Sequence, residues 1–287
     1  MYRILDKAFS IIIKLLTLFS LLLLAFVIIF IFKESFVFFK EVSIFKFISG
    51  RIWNPLSSPD KLSILNIILG TLYVAFVAIV IALPIGVGSA LLLSGYIKGR
   101  RRTIIRGIID ILGGIPSVVY GFIGLLVLVK FFEVKFDFPT GESVLAGGIL
   151  LSLMVLPYII STCDETMEKV YNSHLSSSQA LGVSNNYFIR KLVLVESKKG
   201  IIAAVVLALG RAMGETMAVM MVIGNAPMAP KLLGKAQTIP SLIALEMGMA
   251  EVGSLHYHGL FAAGFVLMIM ILIINIIIYY VKRSISL

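Results

Sequence analysis

Six stretches of this chain are long, apolar and nearly free of charge: residues 15–32, 62–97, 107–129, 143–163, 201–224 and 258–281. A hydrocarbon core about 30 Å thick needs about 20 mostly apolar residues as a helix. Only helices and closed barrels satisfy every backbone polar group inside lipid. Barrel strands alternate over about ten residues, whereas these runs are continuously apolar, so the chain reads as an all-α integral membrane protein with six transmembrane helices. Composition agrees: of 287 residues 59% are hydrophobic and 14% charged, against about 25% charged in soluble domains. Too little charge remains to coat a soluble surface, which argues against a soluble, disordered or nucleic-acid-binding protein. The single cysteine, Cys163, allows no internal disulfide or cysteine metal cluster and reads as a packing residue.

The 36 residues of the second run would reach about 54 Å as one helix, so it must tilt, protrude or break, with Gly70 and Pro84 as the natural places. The first run is too long for a signal-peptide core and is followed by Lys33-Glu34-Ser35, so it is expected to be a retained helix. Basic residues set the orientation. One side carries fifteen (Arg3, Lys7, Lys14, Lys98, Arg100, Arg101, Arg102, Arg106, Lys169, Arg190, Lys191, Lys198, Lys199, Lys282, Arg283) and the other nine (Lys33, Lys40, Lys46, Arg51, Lys61, Lys130, Lys135, Lys231, Lys235). Both termini are therefore expected in the cytoplasm.

Outside the spans, residues 33–61 form an external loop whose Trp53 and Phe residues mark a membrane interface, with Pro55, Ser57, Ser58 and Pro59 beside them. The chain divides into residues 1–61, an N-terminal helix with this loop, and residues 62–287, a core containing the long cytoplasmic loop 164–199. That loop reads as two short amphipathic helices joined by a turn at Gly182-Val183-Ser184-Asn185. It suits interfacial helices on the membrane or an element that docks on a cytosolic partner. Residues 225–257 are expected to be external. His256 and His258 have the spacing of metal ligands, without a carboxylate or third histidine nearby in sequence.

Arg211 and Glu215 lie inside the fifth run, where charge is costly and usually faces a polar interior or a pathway. At i, i+4 they share a helix face and can neutralise each other, either as a staple between helices or as an oxyanion grip, for which arginine is well shaped. Gly210, Gly214 and Thr216 keep that face small and polar. The third run carries Gly113-Gly114-Ile115-Pro116-Ser117, a mid-helix kink or a substrate contact, with Asp110 within pairing reach of Arg106. No phosphate-binding loop, dinucleotide fingerprint or metalloprotease motif occurs, so the chain is expected to be no enzyme by itself and to bind no cofactor or metal.

Gly114-Ile115-Pro116-Ser117-Val118-Val119-Tyr120-Gly121, Arg211 to Val219 (RAMGETMAV) and Val222-Ile223-Gly224-Asn225 together resemble the PstC-type permease subunits of phosphate ABC importers. The sister PstA type continues its Gly-Glu-Thr with Ala-Pro, where this chain has Met217-Ala218. Leu69-Gly70-Thr71-Leu72 and Ala82-Leu83-Pro84-Ile85-Gly86 extend the resemblance from about residue 60 to the end. It implies a type I importer permease (MetI-like) fold in the cell membrane. It also implies phosphate import by alternating access with a PstA-like permease, two PstB-like ATPases that hydrolyse ATP with Mg, and a PstS-like external binding protein. Arg211, Glu215, Thr216, Ser117 and Tyr120 would line the pathway. Pro84, Gly114, Pro116 and Gly214 would be hinges or kinks, and Ser176, Ala180, Leu181, Gly182 and Asn186 would couple to the ATPases. The family's Glu-Ala-Ala-x-x-x-Gly coupling motif falls on Ser176-Ser177-Ser178 and Gly182, without its acid, and the later Ile-x-Leu-Pro falls on Leu192-Val193-Leu194-Val195 without its proline. The competing readings are the PstA-type sister, a sulfate or molybdate permease, an autonomous secondary anion transporter and a signalling scaffold.

Overall fold

A computed structural model of the protein describes residues 2–57, 61–136 and 140–284, with side chains over 9–57, 61–136 and 140–280; Ser58 and Pro59 of the external loop lie outside it. In chain order the elements are α1 (Tyr2–Glu41), α2 (Ile44–Ser49), the antiparallel strands β1 (Trp53–Asn54) and β2 (Lys61–Leu62), α3 (Leu65–Gly95) and α4 (Gly99–Gly114). There follow α5 (Ser117–Ile123), which a π-helical stretch (Gly124–Val129) continues into α6 (Lys130–Phe136), and then α7 (Val144–Ala180). The rest is α8 (Asn185–Phe188), a second π-helical stretch (Ile189–Val193), α9 (Leu194–Glu196), α10 (Lys198–Gly214), α11 (Met217–Met220), α12 (Ile239–Glu246) and α13 (Leu255–Ser284).

Among the described residues five helices, not six, are long and apolar enough to span: Phe9–Glu41, Leu65–Gly95, Ser117–Phe136, Val144–Ala180 and Leu255–Tyr280. Two expected spans are corrected. The residue before a proline is pushed out of helical geometry, and Ile115 is extended (φ −65°, ψ 129°), so α4 stops at Gly114. Pro116 thus separates two helices rather than kinking one, and the span shifts to residues 117–136. The expected helix 201–224 ends at Gly214, with Glu215 extended (φ −70°, ψ 124°). Glycine holds a helix poorly, and the next two side chains bond backbone instead of leaving it to the helix. Thr216 Oγ1 donates to the Gly214 carbonyl (3.3 Å), and a Glu215 oxygen accepts the Ala218 N–H (3.3 Å).

The second run breaks at neither Gly70 nor Pro84, and α3 is one helix of 31 residues. Gly70 serves close packing: a Cβ there would strike the Gln237 carbonyl oxygen. α3 and α7 form the central pair, and Val74, Ala78, Ala82, Leu151, Val155 and Ile159 fill their contact, each almost wholly buried.

Residues 222–239 are packed into the protein at both ends, while Met228, Leu232 and Leu233 between them are exposed. Val222, Ile223, Ala236 and Ile239 are fully buried. Non-helical backbone needs partners at such depth, and here it has them. Val222 and Gly234 carbonyls accept the first N–H groups before and in α7, from Ser143 (3.2 Å) and Val144 (3.0 Å). Thr71 Oγ1 accepts the Ile239 N–H (2.9 Å). α12 then starts from a reciprocal cap between Thr238 and Ser241.

A second core joins α1, the hairpin, α12 and α13 through Phe38, Phe47, Trp53, Ile64, Ile239 and Leu260. Trp53, Phe38 and Phe47 are therefore core residues and not interface markers. The indole Nε1 donates to Glu246 (2.9 Å), giving the buried ring's one polar atom a partner. From Phe9 to Phe30, α1 exposes leucine, isoleucine and phenylalanine all round, a surface suited to lipid.

Candidate functional site

The break at Ile115-Pro116 leaves the last carbonyls of α4 without helical partners, and two tyrosines reach them. The Tyr120 hydroxyl donates to the Leu112 carbonyl (2.9 Å) from α5, and the Tyr158 hydroxyl to the Gly113 carbonyl (3.2 Å) from α7. The guanidinium of Arg211 lies over the face of Tyr158, 4.3 Å from the ring centre, within the distance at which cation–π attraction is felt. Arg211 is exposed in the chain alone, and among the described residues it makes no ion pair.

The expected Arg211–Glu215 neutralisation on one helix face does not form, because the helix ends between them. Glu215 is half-buried and anchors the start of α11, and Thr216 follows it. Ser117 lies half-buried in the first turn of α5, whose residues pack on α11. The structure thus gathers Arg211, Tyr120, Gly114 and Pro116 around one break through Tyr158, which sequence reading missed. Gly214 ends α10 at the second break. Pro84 sits apart, exposed on unbroken α3.

From Tyr158 a groove runs between α4 and α7. Its first part is lined by Gly113, Gly114, Tyr158, Ser161 and Thr162, and Asp110 and Ser161 continue into the next part, which Arg106 and Asp164 close. At that end Arg102 and Arg106 straddle Asp164 and Glu168. Arg102 reaches Asp164 at 2.9 Å and also bonds Glu168, while Arg106 Nε donates to Asp164 at 2.7 Å. Asp164 is 1% exposed, so its charge depends on these partners. Burial works to lower the Arg102 pKa, but the hydrogen bonds and charges of Glu168 and Asp164 outweigh it and raise it. Asp110 is not the partner of Arg106. The signal for this network was present as two i, i+4 pairs of opposite sign, 102/106 and 164/168.

Beyond Glu168, α7 continues as far as Ala180, so the first of the two short helices expected in the loop is the end of this long one. The turn follows at Gly182, whose φ of +63° suits glycine. Ser176, Ala180, Leu181, Gly182 and Asn186 are all exposed, Leu181 by 79%. The tip is nevertheless braced: Asn186 accepts from Tyr96 (2.8 Å), Asn185 from Tyr171 (3.3 Å), and Phe188 packs on Tyr171.

The two histidines meet carboxylates that sequence distance hid, but different ones. His256 lies 2.8 Å from Glu246 and His258 2.9 Å from Glu34. They tie α13 to α12 and α1.

Residues 82–287 match the family of binding-protein-dependent transport system inner membrane components. The chain is 37% identical over 242 residues to the probable ABC transporter permease protein YqgH of Bacillus subtilis, covering 84% of this chain and 78% of that one. It is 33% identical over 262 residues to the phosphate transport system permease protein PstC of Mesorhizobium japonicum, covering 84% and 79%. Among solved structures it resembles an inward-facing MetNI methionine ABC transporter (TM-score 0.57, 18% identity, covering 77% of this chain and 94% of that one), which shows a shared fold. With its long apolar helices and these relatives, the chain belongs to the binding-protein-dependent transport system inner membrane components, as a multi-pass permease subunit of PstC type in the cytoplasmic membrane.

Proposed function

We propose that this chain moves inorganic phosphate across the cytoplasmic membrane as one permease of an ATP-driven importer. The observation that carries the reading is Arg211, a cation in an apolar segment, held on Tyr158 beside two helix breaks. The phosphate transport names of its relatives give the substrate. A guanidinium stacked on an aromatic ring keeps its donor edge free for an oxyanion.

Import against an interior-negative potential costs about 2.3 kcal/mol per charge per 100 mV, so an energy source is required. The chain has no nucleotide motif; ATP and Mg act on PstB-like partner ATPases. Those subunits press on the exposed turn at residues 176–186, and α7 is one continuous helix from that turn to Tyr158. Closure of the ATPases therefore moves the ring that carries Arg211 and the α4 terminus together. A PstA-like permease completes the passage, and a PstS-like protein delivers phosphate from outside.

The test is ATP-dependent uptake of labelled phosphate into proteoliposomes holding this chain with its candidate partners, with sulfate and molybdate as competitors. Uptake that needs every component, resists both competitors and is lost in Arg211→Ala supports the reading. Uptake without ATP or partners replaces it by an autonomous transporter, and competition by sulfate changes the substrate.

A further inference from the structure

On the hairpin side of the molecule, away from Arg211, a cleft of about 430 Å³ is lined by Ser43, Lys46, Arg51, Lys61 and Ser63, with Glu41 its one acid. Among the described residues, Lys46, Arg51 and Lys61 make no ion pair. Three cations against one carboxylate leave the cleft positive. Beside it lies a second groove of about 340 Å³, whose lining side chains are all apolar and include Phe39, Ile44, Ile48, Phe265, Ile269 and Ile273.

α2 is the wall between the two. Ser43 and Lys46 line the cleft, and Ile44 and Ile48, one helical turn apart, line the groove. Phe265, Ile269 and Ile273 recur every fourth residue, so the groove follows α13 for about 12 Å within the apolar span Leu255–Tyr280. Phe45 of α2 is 80% exposed, as suits a short helix lying at a membrane surface.

We propose that α2 is the seat of an anionic phospholipid, its phosphodiester headgroup in the cation-lined cleft and one acyl chain in the apolar groove along α13. Each basic residue near a membrane surface favours anionic lipid by a modest amount, and three converge here. Hydrocarbon is the filling that a wholly apolar groove in a spanning region accepts. A free oxyanion would use the cleft and leave the groove empty, and an acidic protein surface has no chain to place in it. A bound lipid would pin the end of α1 and the hairpin against α13, where Trp53 and His256 meet on Glu246 and His258 meets Glu34 of α1.

The full-length chain, reconstituted in nanodiscs of phosphatidylcholine with a minor fraction of phosphatidylglycerol and then released into mild detergent, is examined by native mass spectrometry for retained lipid. The expected result is one retained phosphatidylglycerol in preference to phosphatidylcholine, undisturbed by millimolar inorganic phosphate. Retention should fall about tenfold or more in Lys46→Ala/Arg51→Ala/Lys61→Ala and also fall in Ile269→Trp, which fills the groove and leaves every charge. If the triple variant does not fold, Lys46→Gln and Arg51→Gln serve singly. Equal retention of the two lipids, displacement by inorganic phosphate, or retention indifferent to Ile269→Trp would each overturn the proposal; the second would mark a free-oxyanion site and the last a purely electrostatic surface.

Discussion

Arg211 was visible in the sequence because an arginine inside an apolar run is conspicuous. Its surroundings were not, because Tyr158 comes from a helix 53 residues earlier and only the fold brings ring and guanidinium to 4.3 Å. If the ring orients Arg211, losing it should weaken capture rather than turnover. Tyr158→Leu is expected to raise the KM for phosphate uptake about two- to fivefold, the range of an exposed cation–π contact, with kcat little changed. Tyr158→Phe keeps the face and should keep KM, while freeing the Gly113 carbonyl and relaxing the end of α4. Uptake kinetics of both variants in the assembled complex decide it: equal KM in Tyr158→Leu and the parent protein would remove the ring from the capture step. Glu215 behaves differently, because its oxygen caps a backbone N–H at the break. Glu215→Gln keeps an acceptor there and should preserve folding, so any loss of uptake in that variant reads its charge alone.

The elements were legible where apolar runs were long and unbroken, as in α3, α7 and α13. They were misread where a local backbone preference overrode hydropathy, at Pro116 and at Gly214-Glu215-Thr216, since a hydropathy window does not register that side chains compete for backbone hydrogen bonds. The separation of α4 has a mechanical consequence. None of its residues is fully buried, so beside half-buried contacts on α7 its attachment leans on the two tyrosine hydroxyls and the Arg102/Arg106–Asp164/Glu168 network. Asp164→Asn removes the buried charge shared by both arginines, which are themselves partly exposed, and should cost about 1–3 kcal/mol. The loss should be local: hydrogen exchange quickens in α4 and stays slow in α3 and the first half of α7. Exchange that accelerates across the α3–α7 pair instead would show that Asp164 supports the core. Gly70→Ala tests the opposite kind of contact. Its methyl meets the Gln237 backbone, which cannot swing aside, so a loss of about 1–3 kcal/mol with a lower thermal midpoint in detergent is expected, centred on residues 236–242.

At the scale of the whole molecule, α7 ties these parts into one lever: its first N–H groups are capped by the Val222 and Gly234 carbonyls, its middle holds Tyr158, its next turns hold Asp164 and Glu168, and its end presents the exposed turn. Sequence spacing had divided this helix into a span and a separate loop helix, because the change from apolar to polar composition near Asp164 looks like a boundary, whereas the helix runs through it to Ala180. A continuous helix transmits displacement where a loop would absorb it. The exposed turn then has a clear requirement. Leu181 and Tyr187 are large and solvent-facing at 79% and 61%, while Asn185, Asn186 and Phe188 brace the tip from behind. Leu181→Asp should leave the chain folded, with an unchanged melting curve, yet reduce co-purification of the ATPase subunits by tenfold or more, about the effect of losing one well-buried apolar anchor. Asn186→Ala, which removes the bond to Tyr96 and shortens one small polar side chain of the turn, should largely preserve association but lower the phosphate moved per ATP hydrolysed. Full association of Leu181→Asp would place the ATPase contact elsewhere on the chain, and a normal transport ratio in Asn186→Ala would mean that the turn needs no bracing to drive α7.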